Sequence, residues 1–179
     1  MKVYAIIKYT DTNGTNGTET YIENLGSVNF FFRRNIREII KFAADELRNE
    51  VTTIGVQRVQ HDTVYCYCYR SSAQQISFVF TDAEIETKLG SCLVRAVDQY
   101  TNEDQMHQLI ANPEKADKIA SIQQELDETK AIAIRTMEQL LEREGKLNDL
   151  MDKTNKLSAD TRKYMENAKR LNNRCCVIL

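Results

Sequence analysis

Nowhere in the 179 residues is there an apolar run of the ~18 residues needed to cross a bilayer. The opening stretch, MKVYAIIKYTD, holds too brief an apolar segment, broken by Lys8, to read as a signal peptide. Neither sign of charge is in excess, since 24 Lys and Arg face 26 Asp and Glu at a pI near 5.8. That balance removes the global basic field that nucleic-acid binding would require, so no nucleic-acid partner is expected. Histidine is nearly missing, with two residues, and no Cys-x-x-Cys pair exists. A zinc site or thiol catalyst built on His61, Cys66 and Cys68 is therefore not expected, because zinc needs about four N or S ligands. The G-x-x-x-x-G-K-[ST] phosphate loop of a nucleotide enzyme is missing too, and the six glycines are scattered. The chain is therefore expected to stay in the cytosol, where five cysteines, an odd number, argue against a disulfide framework. In that compartment the N-G-T triplets at Asn13 and Asn16 read as a Gly-rich hairpin turn rather than as glycosylation acceptors. From these absences no catalytic residue, metal, cofactor or small-molecule substrate is expected.

What is present falls into two parts with different periods. In the first, VYAIIKY reads as a strand with both faces covered, and ETYIENLG pairs back on it after the turn. Helical spacing follows at Phe32, Ile36, Ile39, Ile40, Ala43 and Leu47, one stripe facing a core. IGVQRVQ, TVYCYCYR and QISFVF are strand-like; alternation puts Cys66 and Cys68 on one buried face. T-D-A-E at Thr81 to Glu84 reads as a capping box opening a second helix, with the stripe Ile85, Leu89, Cys92, Leu93, Ala96, Val97 and Tyr100. The order β-β-α-β-β-β-α predicts an α+β domain over residues 1–111, an antiparallel sheet with helices on both faces.

The second part opens at Asn112-Pro113, an N-cap residue followed by the sole proline, suited to the first position of a new helix. Apolar residues then recur at alternating spacings of three and four: Ile119, Ile122, Leu126, Ala133, Leu140, Leu147, Leu150, Leu157, Tyr164, Ala168 and Leu171. That is a heptad seam of about seven repeats, predicting a long coiled-coil helix over 112–174. Thr129, Thr136, Thr154 and Thr161 weaken the seam, and Gly145 costs roughly 1 kcal/mol relative to Ala. The segment is therefore expected to fold fully only against partners. Arg143 also falls on the seam, between Leu140 and Leu147. It either snorkels out of a weak dimer or is met by carbonyl acceptors on partner helices, since an unpaired buried charge costs several kcal/mol.

The stretches E-L-D-E-T-K and L-L-E-R-E-G-K-L-N-D-L resemble an R-SNARE motif, and FFFRRNIREIIKF resembles the first helix of a longin domain. With the paired terminal cysteines, the chain is similar to the prenylated longin R-SNAREs, the lipid-anchored synaptobrevin homologue family. The resemblance implies a profilin-like longin domain with a five-stranded sheet, followed by a long SNARE helix. It places Arg143 in a central ionic layer, met by glutamines from three Q-SNARE helices, and implies membrane fusion by zippering followed by ATP-driven disassembly by an external machine. In two places the chain departs from the family: the end of the longin domain, NEDQMHQLIA, is shorter, and the last residue is leucine.

The final residues R-C-C-V-I-L fit that implication. Cys176-Val177-Ile178-Leu179 matches CaaX, so Cys176 would be prenylated by a prenyltransferase and residues 177–179 removed; the 175–179 tail becomes an anchor. One lipid gives only reversible attachment, which makes Cys175 the site for palmitoylation or a second prenyl group, aided by Lys169, Arg170 and Arg174. The expected location is cytoplasmic and peripheral, on the cytosolic face of Golgi, endosomal, vesicle or vacuolar membranes, in ER-Golgi transport among other routes. Phe42 sits off the main stripe of its helix and is the expected longin clamp on a sheltered lipid. The competing reading is a lipid-anchored longin tether or regulator that does not itself drive fusion.

Overall fold

The computed structural model describes residues 2–12, 15–61, 64–114, 116, 133–136 and 157–174. Two strands, β1 (Val3–Thr12) and β2 (Thr15–Glu23), form a hairpin and lead into the helix α1 (Phe30–Glu50). Three strands follow, β3 (Gly55–His61), β4 (Val64–Arg70) and β5 (Gln75–Thr81), then the helices α2 (Thr87–Gln99) and α3 (Glu103–Ala111). Further on come a short strand, β6 (Ala133–Thr136), and a helix, α4 (Ala159–Arg174). The sheet order is β2-β1-β5-β4-β3-β6. Its first five strands pair antiparallel, as expected, and β6 adds to β3 in parallel.

Strand alternation divides the core into two layers. Ala5, Ile7, Tyr9, Cys66, Cys68, Ile76, Phe78 and Phe80 point to the α1 side, where Ile36, Ile40, Ala44 and Leu47 meet them. Ile6, Tyr67 and Val79 point the other way, against Leu93, Val94 and Val97 of α2 and Met106, Leu109 and Ile110 of α3. A register shift between Val3 and Ala5 turns Val3 to the same face as Ile6, three residues on. Burial pushes the Cys66 thiol well above its usual range, the opposite of an activated nucleophile.

Local hydrogen bonds fix the helix ends. The Asn29 side chain accepts from the Phe31 N–H at 3.1 Å and so caps α1. At the other end the Arg70 guanidinium donates to the carbonyls of Arg48 (2.6 Å), Ala73 (3.1 Å) and Val51, tying β4 to the last turn of α1.

Four sequence expectations are corrected. Thr81 does not cap a helix: it ends β5, its hydroxyl donates to the Ala83 carbonyl, and α2 starts only at Thr87. The buried Tyr67 hydroxyl decides this, donating to the Ile85 carbonyl (3.0 Å) and accepting from the Ile85 N–H (3.2 Å), which takes up both backbone groups that a helix there would use. β2 begins at Thr15, so part of the stretch read as turn is strand. The NEDQMHQLIA stretch is a helix, signalled by Asn102 accepting from the Asp104 N–H at 2.8 Å, acidic residues in the first turn and the buried trio Met106, Leu109 and Ile110. Asn112 accordingly closes α3, its N–H bonded to the Gln108 carbonyl at 3.0 Å. Finally, Ala133–Thr136, expected within a continuous coiled-coil helix, is β6, paired with Gln57 to Gln60 of β3. With no partner helices to cover a weak seam, the open edge of β3 offers this β-branched stretch backbone partners instead.

Candidate functional site

The heptad seam is where sequence and structure meet. Ile119, Ile122, Leu126, Thr129, Leu140, Arg143, Leu147, Leu150 and Thr154 lie outside the described residues, as do Cys175 and Cys176. Ala133 and Thr136 fall at the two ends of β6, while Ala168 and Leu171 fall on α4. Leu157 and Thr161 are buried, and Tyr164 is partly buried against the α1-side core. Three successive seam positions are thus covered within one chain.

α4 lies along α1. Ser158 starts it, accepting from the Thr161 N–H at 3.3 Å in the manner of an N-cap. Glu38 on α1 receives this turn: its carboxylate accepts from the Ser158 N–H (3.2 Å), the Ser158 hydroxyl (2.8 Å) and the Thr161 hydroxyl (2.8 Å). Arg34, one turn back, bonds the other oxygen at 3.2 Å. Burial pushes the Glu38 carboxyl up, but the bonds from Thr161, Ser158 and Arg34 outweigh it and hold the group at about 2. The Asn35 amide donates to the Asp160 carbonyl at 3.4 Å, and the rings of Phe32 and Tyr164 meet at 5.1 Å between centroids.

This contact revises the role of Phe32. Expected in the core stripe, it is 43% exposed and packs on Tyr164 instead. The stripe runs one turn beyond the sheet, and the returning segment covers the excess. Phe42 is half-buried on α1 and outside both core layers. Glu38, Asn35 and Ser158 were not singled out from the sequence. The available signal was the S-A-D-T stretch, a helix start inside a supposedly continuous helix. No helix among the described residues is long and apolar enough to cross a membrane.

Comparison with known proteins identifies the second part. Residues 118–178 match the Synaptobrevin family model, so the segment that supplies β6 and α4 is similar to a synaptobrevin domain. It follows an antiparallel five-stranded sheet with helices on both faces, the longin arrangement that the resemblance implied. The chain as a whole is similar to the protein named synaptobrevin homolog YKT6 in several yeasts. It is 27% identical to that of Candida glabrata over 206 residues covering 100% of both chains, and 26% identical to that of Debaryomyces hansenii over 202 residues, again 100% of both. To that of Saccharomyces cerevisiae it is 27% identical over 180 residues, 88% of this chain and 90% of the relative.

Proposed function

We propose that this protein is an R-SNARE that joins three Q-SNARE helices in a four-helix bundle and draws a vesicle onto its target membrane. The synaptobrevin match and the full-length likeness to YKT6 homologs support an R-SNARE role in trafficking. The single observation that carries the finer reading is the burial of Leu157 and Thr161, with Tyr164, inside this chain. Residues at seam positions need a cover; the longin domain supplies one here, and partner helices would supply the other. The two covers exclude each other, because Glu38 and Phe32 occupy the side of α4 that a bundle would take. Likewise Ala133–Thr136 cannot be strand on β3 and helix in a bundle at once. The longin domain is on this reading an autoinhibitor, and assembly begins with its release.

In the bundle, Arg143 fills the central layer and three glutamines accept its N–H donors. Zippering runs from Ile119 towards Leu171 and pulls on the membrane end. Folding on binding supplies the free energy, so no active site is needed. Prenyl on Cys176 and a second lipid on Cys175 hold the chain to the cytosolic face of its membrane, after attachment by a prenyltransferase. An ATP-driven disassembly machine returns the helices to the free state.

The test is to mix the full chain with three Q-SNARE helices and follow helix content and resistance to SDS. A gain of helix with a stable four-component complex is expected. A chain that clusters lipid-anchored vesicles yet never assembles with glutamine-bearing helices is instead a tether, and the fusion reading fails.

A further inference from the structure

The contacts between α1 and α4 set their relative direction. Ser158 and Thr161 meet Glu38, Asp160 meets Asn35, and Tyr164 meets Phe32, so six residues forward in α4 correspond to six residues back in α1. The helices are antiparallel. Beyond Tyr164, α4 continues to Arg174, about 15 Å at 1.5 Å per residue, whereas α1 has only two residues left. The end of α4, immediately before Cys175 and Cys176, therefore leaves the molecule past the N-terminus of α1.

That same end carries the two most exposed large apolar side chains among the described residues, Phe30 at 76% and Phe31 at 80%. Their rings meet edge to face at 6.0 Å and stand out from the surface. Two phenylalanines each exposed over three quarters are a protrusion rather than the walls of a groove, so they suit insertion into a soft surface better than shelter of a chain. Positive charge lies beside them. Arg33 lies over the Phe30 ring at 6.0 Å and spends its donors on the carbonyls of Val28 and Gly26, which leaves its charge uncancelled by those partners. Arg34 is 77% exposed while its Nε bonds Glu38 at 3.2 Å, and the first turn of α1 holds no acidic residue to offset its positive end. The last turns of α4 carry Lys169, Arg170 and Arg174 against Glu166.

We propose that Phe30 and Phe31 form a bilayer-inserting tip, through which the closed protein docks on anionic membrane with the end of α4 on the same side. Apolar rings enter the acyl boundary while neighbouring cations meet lipid phosphates, the arrangement of an interfacial anchor. The inference rests on the membrane role proposed above but not on the lipids, and it gives the closed form a membrane contact that does not require opening.

The chain contains no tryptophan, so Phe31→Trp supplies a single emission reporter. The full chain carrying this change, with Cys175 and Cys176 replaced by Ser to exclude lipidation, is mixed with phosphatidylserine-rich or phosphatidylcholine vesicles. A blue shift, quenching by brominated acyl chains, preference for the anionic vesicles and weakening by salt are expected. In co-sedimentation without the reporter, Phe30→Ser with Phe31→Ser should lower anionic-vesicle binding about tenfold or more, with circular dichroism unchanged. Equal binding by the parent and the double variant overturns the proposal, as does no preference of the parent for anionic vesicles. A parent dimer that the double variant dissolves would make the tip an interface between copies. A rise in membrane binding of the lipidated protein on the same change would make it a cover for the chain's own tail. Either result replaces the proposal. No Q-SNARE helix is present in these assays, so failure here leaves the bundle reading standing, and failure of the bundle leaves this one.

Discussion

The Glu38 carboxylate of α1 accepts a 2.8 Å hydrogen bond from the Thr161 hydroxyl of α4, across 123 residues of sequence. Thr161 is fully buried, so its hydroxyl has no water to turn to if the carboxylate is taken away. Glu38→Ala is expected to weaken docking of α4 by about 1.5–3 kcal/mol, the usual worth of bonds to a charged group. Hydrogen exchange should show the first turns of α4 opening while β1, β4 and β5 stay protected. Unchanged exchange at Thr161 would contradict it.

The same carboxylate makes docking depend on pH. Its folded value is depressed from 4.5 to about 2, so its contribution is fully present above 4.5 and is lost as pH falls towards 2. An NMR titration should find the amides of Ser158 and Thr161 moving in that window, and Glu38→Gln should abolish the movement. If both amides titrate equally in the variant, another group is responsible.

Phe32 and Tyr164 are a second fastening, independent of charge. Phe32→Ala, Tyr164→Ala and the pair together form a double-mutant cycle whose coupling should be about 0.5–1.5 kcal/mol in favour of closure. Each single change should also speed assembly with Q-SNARE helices. A coupling near zero would mean that the 5.1 Å ring contact does not hold α4 in place.

Gly90 lets α2 reach the sheet. A Cβ there would collide with the ring of Tyr67, which is fully buried and fixed at its hydroxyl by Ile85. Gly90→Ala should therefore destabilise the domain by about 1–3 kcal/mol despite alanine's better helix propensity. Urea denaturation gives the value directly, and a stability equal to the parent's would show that the helix can shift.

Two changes address the proposed cycle. Arg143→Leu should make the segment associate with itself more strongly, because it removes the charge that penalises a homomeric coil. Sedimentation of parent and variant decides this, and equal self-association removes the central-layer assignment. Phe42→Glu should move the lipidated protein from cytosol to membranes in cell fractions, and an unchanged distribution ends its role as a clamp.

Much of the longin half was legible because its signals are local. The alternation in TVYCYCYR placed Cys66 and Cys68 in one layer and Tyr67 in the other, as found. The stripe of α1 named Ile36, Ile40 and Leu47 correctly as core. Where reading failed, a distant group had overruled a local one. Thr81 satisfies the capping-box pattern, yet the Tyr67 hydroxyl claims Ile85 and delays α2. Asn112 has the chemistry of a helix start, but α3 reaches it first and uses it as an end.

By itself the sequence determined that residues 119 to 171 carry a stripe in need of cover, with a cation in its middle and too little apolar area to fold alone. Periodicity states which side chains must leave water, and it does so for any helix of that spacing. It does not state what covers them. Only the tertiary structure decided that Thr161 and Tyr164 turn to Glu38 and Phe32, and that Ala133–Thr136 closes the edge of β3. The reason is physical: a half-apolar segment takes whichever surface offers it complementary area and hydrogen bonds, and in the free chain that surface is its own first domain.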